Sequence, residues 1–217
     1  APAFVTSYNT GNWTEGVEIS GNYAYVTEIV KGLSIVDITD PAAPALVGSL
    51  DIGGARDVAV AGNYAYLTQF DGGLFVIDIT NPSSPTPLGD VYIDNPSDIA
   101  LAGSYAYVAD GDGGLYIVDI TNPSSVTVAG TFSGVIISAN DVMVSGNYAY
   151  LAAGRGGLVI LDITNPLSIT PVGTYITTVS TEGVAVADNY AYMIDEVKGL
   201  VIANITDLSS PRFVTNY

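Results

Sequence analysis

The tripeptide Tyr-Ala-Tyr occurs five times in this 217-residue chain. The copies begin at Tyr23, Tyr64, Tyr105, Tyr148 and Tyr190, so the spacings are 41, 41, 43 and 42 residues. A period near 42 residues is typical of stacked supersecondary units, and the all-β form of such a unit is a propeller blade of about four short strands. The chain is therefore a repeat protein.

The second repeat shows how each unit is built. Residues 56–61 and 64–68 alternate in polarity around the turn Gly62-Asn63, which predicts a β-hairpin. Residues 74–79 (LFVIDI) form a nearly continuous apolar run, and residues 87–93 form a more polar fourth strand. A strand that is apolar on both sides must be covered on both faces, as happens when blades pack face to face. The sequence thus predicts an all-β propeller, with five blades of four antiparallel strands.

Composition restricts the function. Five Lys and Arg residues against 22 Asp and Glu give a net charge of −17, which disfavours nucleic acid and anionic lipid as partners. We expect no membrane insertion, because no apolar run approaches the roughly 20 residues needed to cross a bilayer. Histidine and cysteine are absent, which excludes Ser-His-Asp and Cys-His catalysis.

The third strands carry a more specific signature. They read GLSIVDITDP at residues 32–41, GLFVIDITNP at 73–82, GLYIVDITNP at 114–123 and GLVILDITNP at 157–166. This pattern resembles the LVIVD repeat family of bacterial and archaeal surface proteins. The fifth copy departs from it, with Asn204 in place of the aspartate and Leu208 in place of the proline. The resemblance implies a propeller in exported or cell-envelope proteins, hence an extracellular or cell-surface location, and it implies no enzymatic activity.

We expect one domain over residues 1–217, with repeat units at about 9–50, 51–93, 94–132, 133–176 and 177–217. Residues 2–8 (PAFVTSY) closely resemble residues 211–217 (PRFVTNY), which predicts an extra outer strand over residues 1–8. That strand is either redundant, a fifth strand of a blade, or a pairing edge for another molecule. A closed ring of five blades is the expected arrangement, and a piece of a longer array is the alternative.

Loop variation indicates where a ligand would bind. The turn after the first strand and the crossing from the third to the fourth strand are nearly constant among the repeats. The fourth-to-first and second-to-third loops differ, and they share the opposite rim. Varied chemistry on a uniform frame is typical of a binding face. The main hypothesis is therefore a non-catalytic module that binds a glycan or a surface protein.

Acidic residues at the starts of the first strands are candidates for a cation site. Each repeat places one carboxylate there, and they are Glu15, Asp57, Asp98, Asp141 and Glu182. A ring of oxygen ligands would suit calcium, with Asp57, Asp98 and Asp141 as the candidate metal ligands. The alternative is that each carboxylate accepts hydrogen bonds from the backbone amides of its own turn.

Further candidates lie in the variable loops. Trp13 and Phe70 are aromatics that would anchor a sugar or a protein, or else pack on a neighbouring blade. Arg56 and Arg155 would orient an anionic group or neutralise nearby carboxylates. Asp112, in the segment Asp110-Gly-Asp112, suggests calcium, although Asp-Gly is also an ordinary choice for a tight turn.

Two other function classes remain open. Paired carboxylates across a central pocket would support a glycoside-active enzyme, which needs no histidine, but the acids here are distributed almost symmetrically. A structural spacer that self-associates through its terminal strand is the third hypothesis.

Overall fold

Twenty β-strands form five four-stranded antiparallel sheets in the computed structural model, which describes residues 3–134, 138–177 and 179–217, without the side chain of Asp112. Each sheet comes from one repeat and follows the order of the chain, so we call the sheets blades 1 to 5. The prediction of five blades of four antiparallel strands is confirmed. No helix in the described ranges is long and apolar enough to span a membrane.

The strand bounds follow the repeat. Blade 1 contains β1 (Thr14–Ser20), β2 (Tyr23–Glu28), β3 (Gly32–Asp37) and β4 (Ala45–Asp51). Blade 2 contains β5 (Ala55–Ala61), β6 (Tyr64–Gln69), β7 (Gly73–Asp78) and β8 (Thr86–Val91). Blade 3 contains β9 (Pro96–Ala102), β10 (Tyr105–Asp110), β11 (Gly114–Asp119) and β12 (Thr127–Phe132), with a single 3-10 turn at Gly111–Gly113. Blade 4 contains β13 (Asp141–Ser145), β14 (Tyr148–Ala152), β15 (Leu158–Asp162) and β16 (Thr170–Tyr175). Blade 5 contains β17 (Thr181–Ala187), β18 (Tyr190–Asp195), β19 (Gly199–Asn204) and β20 (Arg212–Asn216).

The hydrophobic cores lie between the blades. Each of the four large clusters of buried residues joins two consecutive blades. In the first cluster, Tyr25, Leu33 and Ile35 of blade 1 pack on Leu67 and Ile77 of blade 2. In blades 1 to 4 the second tyrosine of the Tyr-Ala-Tyr motif packs towards the following blade, and in blades 2 to 5 the alanine packs towards the preceding one. We therefore call these two sides the back face and the front face of a blade.

The row of blades is open. The first strands of consecutive blades pack side by side from β1 to β17, but β17 does not pack on β1 in the same way. Val17 on the front face of blade 1 is 63% exposed, whereas its counterparts Val58, Ile99, Val142 and Val184 are at most 8% exposed. The expected closed ring of five blades is therefore wrong, because the front face of blade 1 has no blade against it.

The N-terminal segment also differs from expectation. Residues 3 to 8 form no strand, so the predicted extra outer strand over residues 1–8 is absent from the part of it that is described. Thr6, Tyr8 and Thr10 instead line a cavity of about 400 Å³ together with Val26 and other front-face residues of blade 1. The segment thus lies across the uncovered front face without adding to any sheet.

Candidate functional site

Two classes of variable loop meet at one rim, as the repeat pattern predicts. Between blades 1 and 2, a cavity of about 160 Å³ is lined by Glu15, Ile29, Gly54, Arg56 and Phe70. Ile29 and Phe70 belong to second-to-third loops, and Gly54 belongs to a fourth-to-first loop. Glu15 and Arg56 lie at the starts of β1 and β5, the first and innermost strands of their blades. We call this site the rim cavity. It brings together three of the predicted ligand-binding residues, Glu15, Arg56 and Phe70.

Arg56 and Phe70 form a stacked pair in the rim cavity. The guanidinium carbon of Arg56 lies 4.7 Å from the centroid of the Phe70 ring, which is the geometry of a cation–π interaction. Arg56 Nη1 also donates to Asn95 Oδ1 at 3.1 Å and to the Pro96 carbonyl oxygen at 3.3 Å. Both of these acceptors are neutral groups. Phe70 remains 50% exposed.

Trp13 lies beside this cavity. Ile29, which lines the cavity, donates its backbone amide to the Trp13 carbonyl oxygen at 3.1 Å. The Trp13 side chain is 80% exposed, so the alternative that it packs against a neighbouring blade is wrong. Trp13 and Phe70 thus give the variable loops of blades 1 and 2 two exposed aromatic side chains.

The remaining loop candidates lie elsewhere. Arg155 and Glu182 are exposed residues of blades 4 and 5, and neither lines the rim cavity. Glu182 Oε2 accepts a hydrogen bond from Asn140 Nδ2 at 3.2 Å, so it joins the starts of two neighbouring inner strands. The side chain of Asp112 lies outside the described residues, and its predicted role in binding stays a prediction.

Buried or partly buried polar residues at the ends of the second strands hold the variable loops in place. Glu28 Oε2 accepts from Asn12 Nδ2 at 2.8 Å, and Gln69 Nε2 donates to the carbonyl oxygens of Ile52 and Gly53. Asp110 Oδ1 accepts from the backbone amide of Asn95 at 3.1 Å. This role was not predicted from the sequence. The sequence does show a pattern at these positions, because the residue five places after the first tyrosine of the motif is polar in four of the five repeats.

The aspartates at the starts of the inner strands connect blades. Asp57 Oδ2 accepts from the amide of Ile99 at 3.2 Å, and Asp98 Oδ2 accepts from the amide of Val142 at 2.8 Å. Asp141 Oδ2 continues the series by accepting from the amide of Val184 at 2.7 Å. Each acceptor thus binds an amide of the following blade. The sequence left open that each aspartate accepts hydrogen bonds from its own turn. In the structure the donor is instead an amide of the following blade.

These three carboxyl groups have different environments. Burial, the charge of Asp57 and a hydrogen bond with Asp141 raise the pKa of Asp98 to about 10. Burial also raises the pKa of Asp57, while its hydrogen bond with Asp98 acts in the opposite direction. The raised pKa favours the neutral, protonated form of Asp98 at neutral pH. The near-symmetry suggested by the sequence does not extend to the chemistry of these groups.

The aspartates do not converge on a metal site. Within the described ranges, no group of three or more acidic side chains is arranged to hold a metal ion. Glu15 and Glu182, the outer members of the predicted ring, are exposed at opposite ends of the open row. The geometry favours a row of contacts between blades over a coordination sphere.

The aspartates of the third strands have the structural role that their regularity suggests. Each accepts a hydrogen bond at 2.8 Å from the amide of the threonine two residues later, and these residues are Asp37, Asp78, Asp119 and Asp162. The bond to this threonine lowers the pKa of each carboxyl group. Asn204 makes the same contact with Thr206 at 2.9 Å, which explains why the fifth repeat tolerates asparagine.

The model of the LVIVD repeat matches residues 12–51, 52–92, 95–133, 138–177 and 180–217. The chain belongs to the LVIVD repeat family. The matched segments agree with the five blades, so each LVIVD repeat corresponds to one sheet. No curated protein sequence matches the chain.

Solved structures resemble this LVIVD protein in fold alone. A functionally unknown protein from Desulfotomaculum acetoxidans is 16% identical, with a TM-score of 0.78 over 96% of this chain and 71% of that one. The β-propeller domain of Cps50 (Swd1) from Myceliophteria thermophila is 12% identical, with a TM-score of 0.77 over 94% and 72%. The computationally designed Ika8 protein is 12% identical, with a TM-score of 0.75 over 94% of this chain. The LVIVD chain spans 61% of the length of Ika8.

The family signature and the rim cavity occupy different parts of each blade. The LVIVD strands supply core residues such as Leu74 and Val76 and the aspartate of the following turn. Arg56 and Phe70 lie outside these strands, in positions that differ among the repeats. Membership of the LVIVD family therefore accounts for the frame, and the rim chemistry belongs to this chain.

Proposed function

We propose that this protein is a non-catalytic binding module that engages a glycan or a surface protein through the rim cavity. The observation that carries the proposal is the grouping of Arg56, Phe70 and Glu15 in one cavity, in contact through Ile29 with the loop that carries the exposed Trp13. Aromatic faces stack on sugar rings and on apolar side chains, while the guanidinium and carboxylate groups bind hydroxyl and amide groups. Fixed blades beneath variable loops keep these groups in position.

The location that fits this role is the cell surface or the extracellular space. The LVIVD family resemblance supports this, and the net charge of −17 disfavours nucleic acid as a partner. The protein needs neither a cofactor nor insertion into a membrane for such a role. Adhesion to a glycan-bearing surface is the specific form of binding that we propose.

A glycoside-active enzyme is the second candidate. Glu18 and Asp57 line a cavity of about 330 Å³ on the inner side of the row of blades. Burial and the nearby charge of Asp57 raise the pKa of Glu18. Two acids with altered pKa values in one cavity are typical of glycosidases, although Asp57 already accepts the amide of Ile99.

The test is a broad glycan array probed with the purified protein and with Trp13→Ala and Phe70→Ala. We expect binding to fall by about tenfold or more in each variant, because an anchoring aromatic contributes about 2 kcal/mol or more. Leu167→Ala is the matched control, since Leu167 is exposed on the crossing loop of blade 4, at the opposite rim. Equal losses in the control would contradict a rim site.

Two other outcomes are informative. Cleavage of a bound glycan, detected by mass spectrometry and lost in Glu18→Gln, would replace the binding proposal with the enzyme. If the protein binds no glycan on the array, a glycan ligand is excluded and a surface protein is the remaining ligand class. Crosslinking against cell-envelope fractions would then identify that protein.

We also expect calcium to be unnecessary for the fold. A ligand that binds only the native state must raise the melting temperature. The melting temperature should therefore be the same with added calcium and with a chelator, measured by circular dichroism. A rise of several degrees with calcium, absent in Asp98→Asn, would restore the predicted site at Asp57, Asp98 and Asp141.

A further inference from the structure

The front face of blade 1 has the composition of a blade interface but no blade against it. Val17 and Ile19 are both 63% exposed, and Ala24, Val26 and Ile38 are only partly buried. Their counterparts in blade 2, for example Ala65, Leu67 and Ile79, are buried against blade 1. Exposed apolar faces of this kind mark interaction sites.

The back face of blade 5 is uncovered in the same way. Ile194 is 51% exposed, whereas its counterparts Thr27, Thr68, Ala109 and Ala152 are completely buried. Leu200 and Ile202 are partly buried, whereas the matching leucine and apolar residue in each of the other blades are 0% exposed. The protein therefore presents one uncovered front face and one uncovered back face. These are the two sides that pack on each other at all four internal junctions.

The N-terminal segment lies where an outermost strand would lie. Thr6 and Tyr8 line the cavity over the front face of blade 1, together with Pro41 and Pro44 of its crossing loop. At the internal junctions, the outermost strand of one blade likewise contacts the crossing loop of the next, as Gly48 contacts Pro82. The segment PAFVTSY nearly repeats the sequence PRFVTNY that contains β20. It thus takes the position that β20 would take if blade 5 of another copy docked there.

One substitution distinguishes this junction from the internal ones. Blades 1 to 4 have a glycine in the outermost strand at this contact, and these residues are Gly48, Gly89, Gly130 and Gly173. Blade 5 has Thr215 there, and the N-terminal segment has Thr6. Thr6 lines the same cavity as Pro41 and Pro44, so there is room for a threonine over the crossing loop of blade 1. Thr215, in the outermost strand of blade 5, would therefore fit over the crossing loop of blade 1 in the place of Thr6.

We propose that a second copy of this chain docks the back face of its blade 5 on the front face of blade 1, with β20 displacing residues 3–8. The contact is head-to-tail, so it uses a different surface on each copy and leaves one face of each kind for a further contact. It continues an interface that the chain already forms four times. Added salt should strengthen the contact, because it screens the repulsion between copies of charge −17.

The first experiment is analytical ultracentrifugation of the full chain across a wide concentration series. We expect species larger than the monomer, with the fraction rising with concentration. Val17→Glu and Ile194→Glu should each weaken the association by about tenfold or more, because each places an unpaired charge in the contact. Both residues are exposed in the monomer, so the variants should fold, which circular dichroism would check. Leu167→Glu adds the same charge on the opposite rim and should associate like the wild type.

Mixing the two variants tests the direction of the contact. Val17→Glu retains an intact blade 5, and Ile194→Glu retains an intact blade 1. An equimolar mixture should therefore form a one-to-one complex at concentrations where each variant alone is monomeric. Failure of the mixture to associate would overturn the head-to-tail contact, and a wild-type chain that is monomeric at every concentration would overturn the proposal.

Deletion of residues 1–8 separates this contact from strand exchange. If the N-terminal segment competes with β20 for the front face, the deletion should strengthen association. If the segment instead pairs with a sheet of another copy, the deletion should abolish association, and our proposal would be wrong.

Discussion

Replacing Gly173 with alanine should destabilise the protein by about 2–3 kcal/mol, because overpacking a rigid contact costs roughly 1–3 kcal/mol and this contact is among the closest. A β-carbon on Gly173 would lie 2.0 Å from the carbonyl oxygen of Leu208 in the crossing loop of blade 5. The atom in the way belongs to the backbone, so a side-chain rotation cannot relieve the clash. Blades 4 and 5 would have to move apart and lose part of their shared core. Chemical denaturation would measure the loss.

The chain supplies its own control. Gly130 occupies the same place in blade 3, but a β-carbon there would lie 3.4 Å from the carbonyl oxygen of Pro166. Gly130→Ala should change stability by less than about 1 kcal/mol, because the contact is ordinary and alanine reduces the entropy of the unfolded chain. Equal effects at Gly130 and Gly173 would show that close packing at these junctions does not depend on the glycine.

Asp98→Asn should stabilise the protein at neutral pH. The pKa of Asp98 is raised from 3.8 to about 10 in the folded protein, chiefly by burial. The folded state therefore keeps a proton that the unfolded chain loses above about pH 4. This group contributes its full stability below that pH, and the stability is lost as pH rises towards 10, at up to about 1.4 kcal/mol per pH unit. Asparagine does not titrate, so the variant should be more stable by on the order of 3 kcal/mol at pH 7.

Melting temperatures measured from pH 4 to pH 10 would test this. The wild type should lose stability steadily over that range, and Asp98→Asn should give a much flatter curve. The residual slope would come from Asp57 and Glu18, whose pKa values are also raised, mainly by burial. Asp119→Asn makes the same change in an exposed turn, where the fifth repeat already has asparagine, and its curve should follow that of the wild type. Parallel curves for wild type and Asp98→Asn would show that Asp98 is ionised in the folded protein.

The repeat period and the apolar third strands were sufficient to predict the blades. Strand pattern depends on local alternation and turns, which the sequence displays directly at sites such as Gly62-Asn63. The closure of the row was predicted wrongly, because closure depends on the angle between blades. That angle comes from contacts such as Gly173 with Leu208, whose closeness cannot be read from residue types.

The candidate site was predicted in part. Loop variability pointed to one rim, because variable loops at one end of antiparallel strands must share a rim, and Glu15, Arg56 and Phe70 do line one cavity there. That these residues bind a ligand stays a prediction. The roles of Glu28, Gln69 and Asp110 were not predicted, since a polar residue at a strand end gives no sign of the loop it reaches. The partners of Asp57 and Asp98 were also missed, because they lie about 42 residues away in the next blade.

The way these polar residues hold the loops makes the rim suitable for diversification. Gln69 and Asp110 bind main-chain groups of the loops before blades 2 and 3, at Ile52, Gly53 and Asn95. Main-chain groups are present whatever the side chain, so these loops can change sequence and keep their anchors. The loop before blade 1 is held through the side chain of Asn12 as well as through the main chain of Trp13, so it has less of this freedom. A combinatorial library for selecting new binders should therefore randomise the loops before blades 2 and 3 and leave Asn12 unchanged, together with Gly53 and Gly54, whose φ of 60° favours glycine.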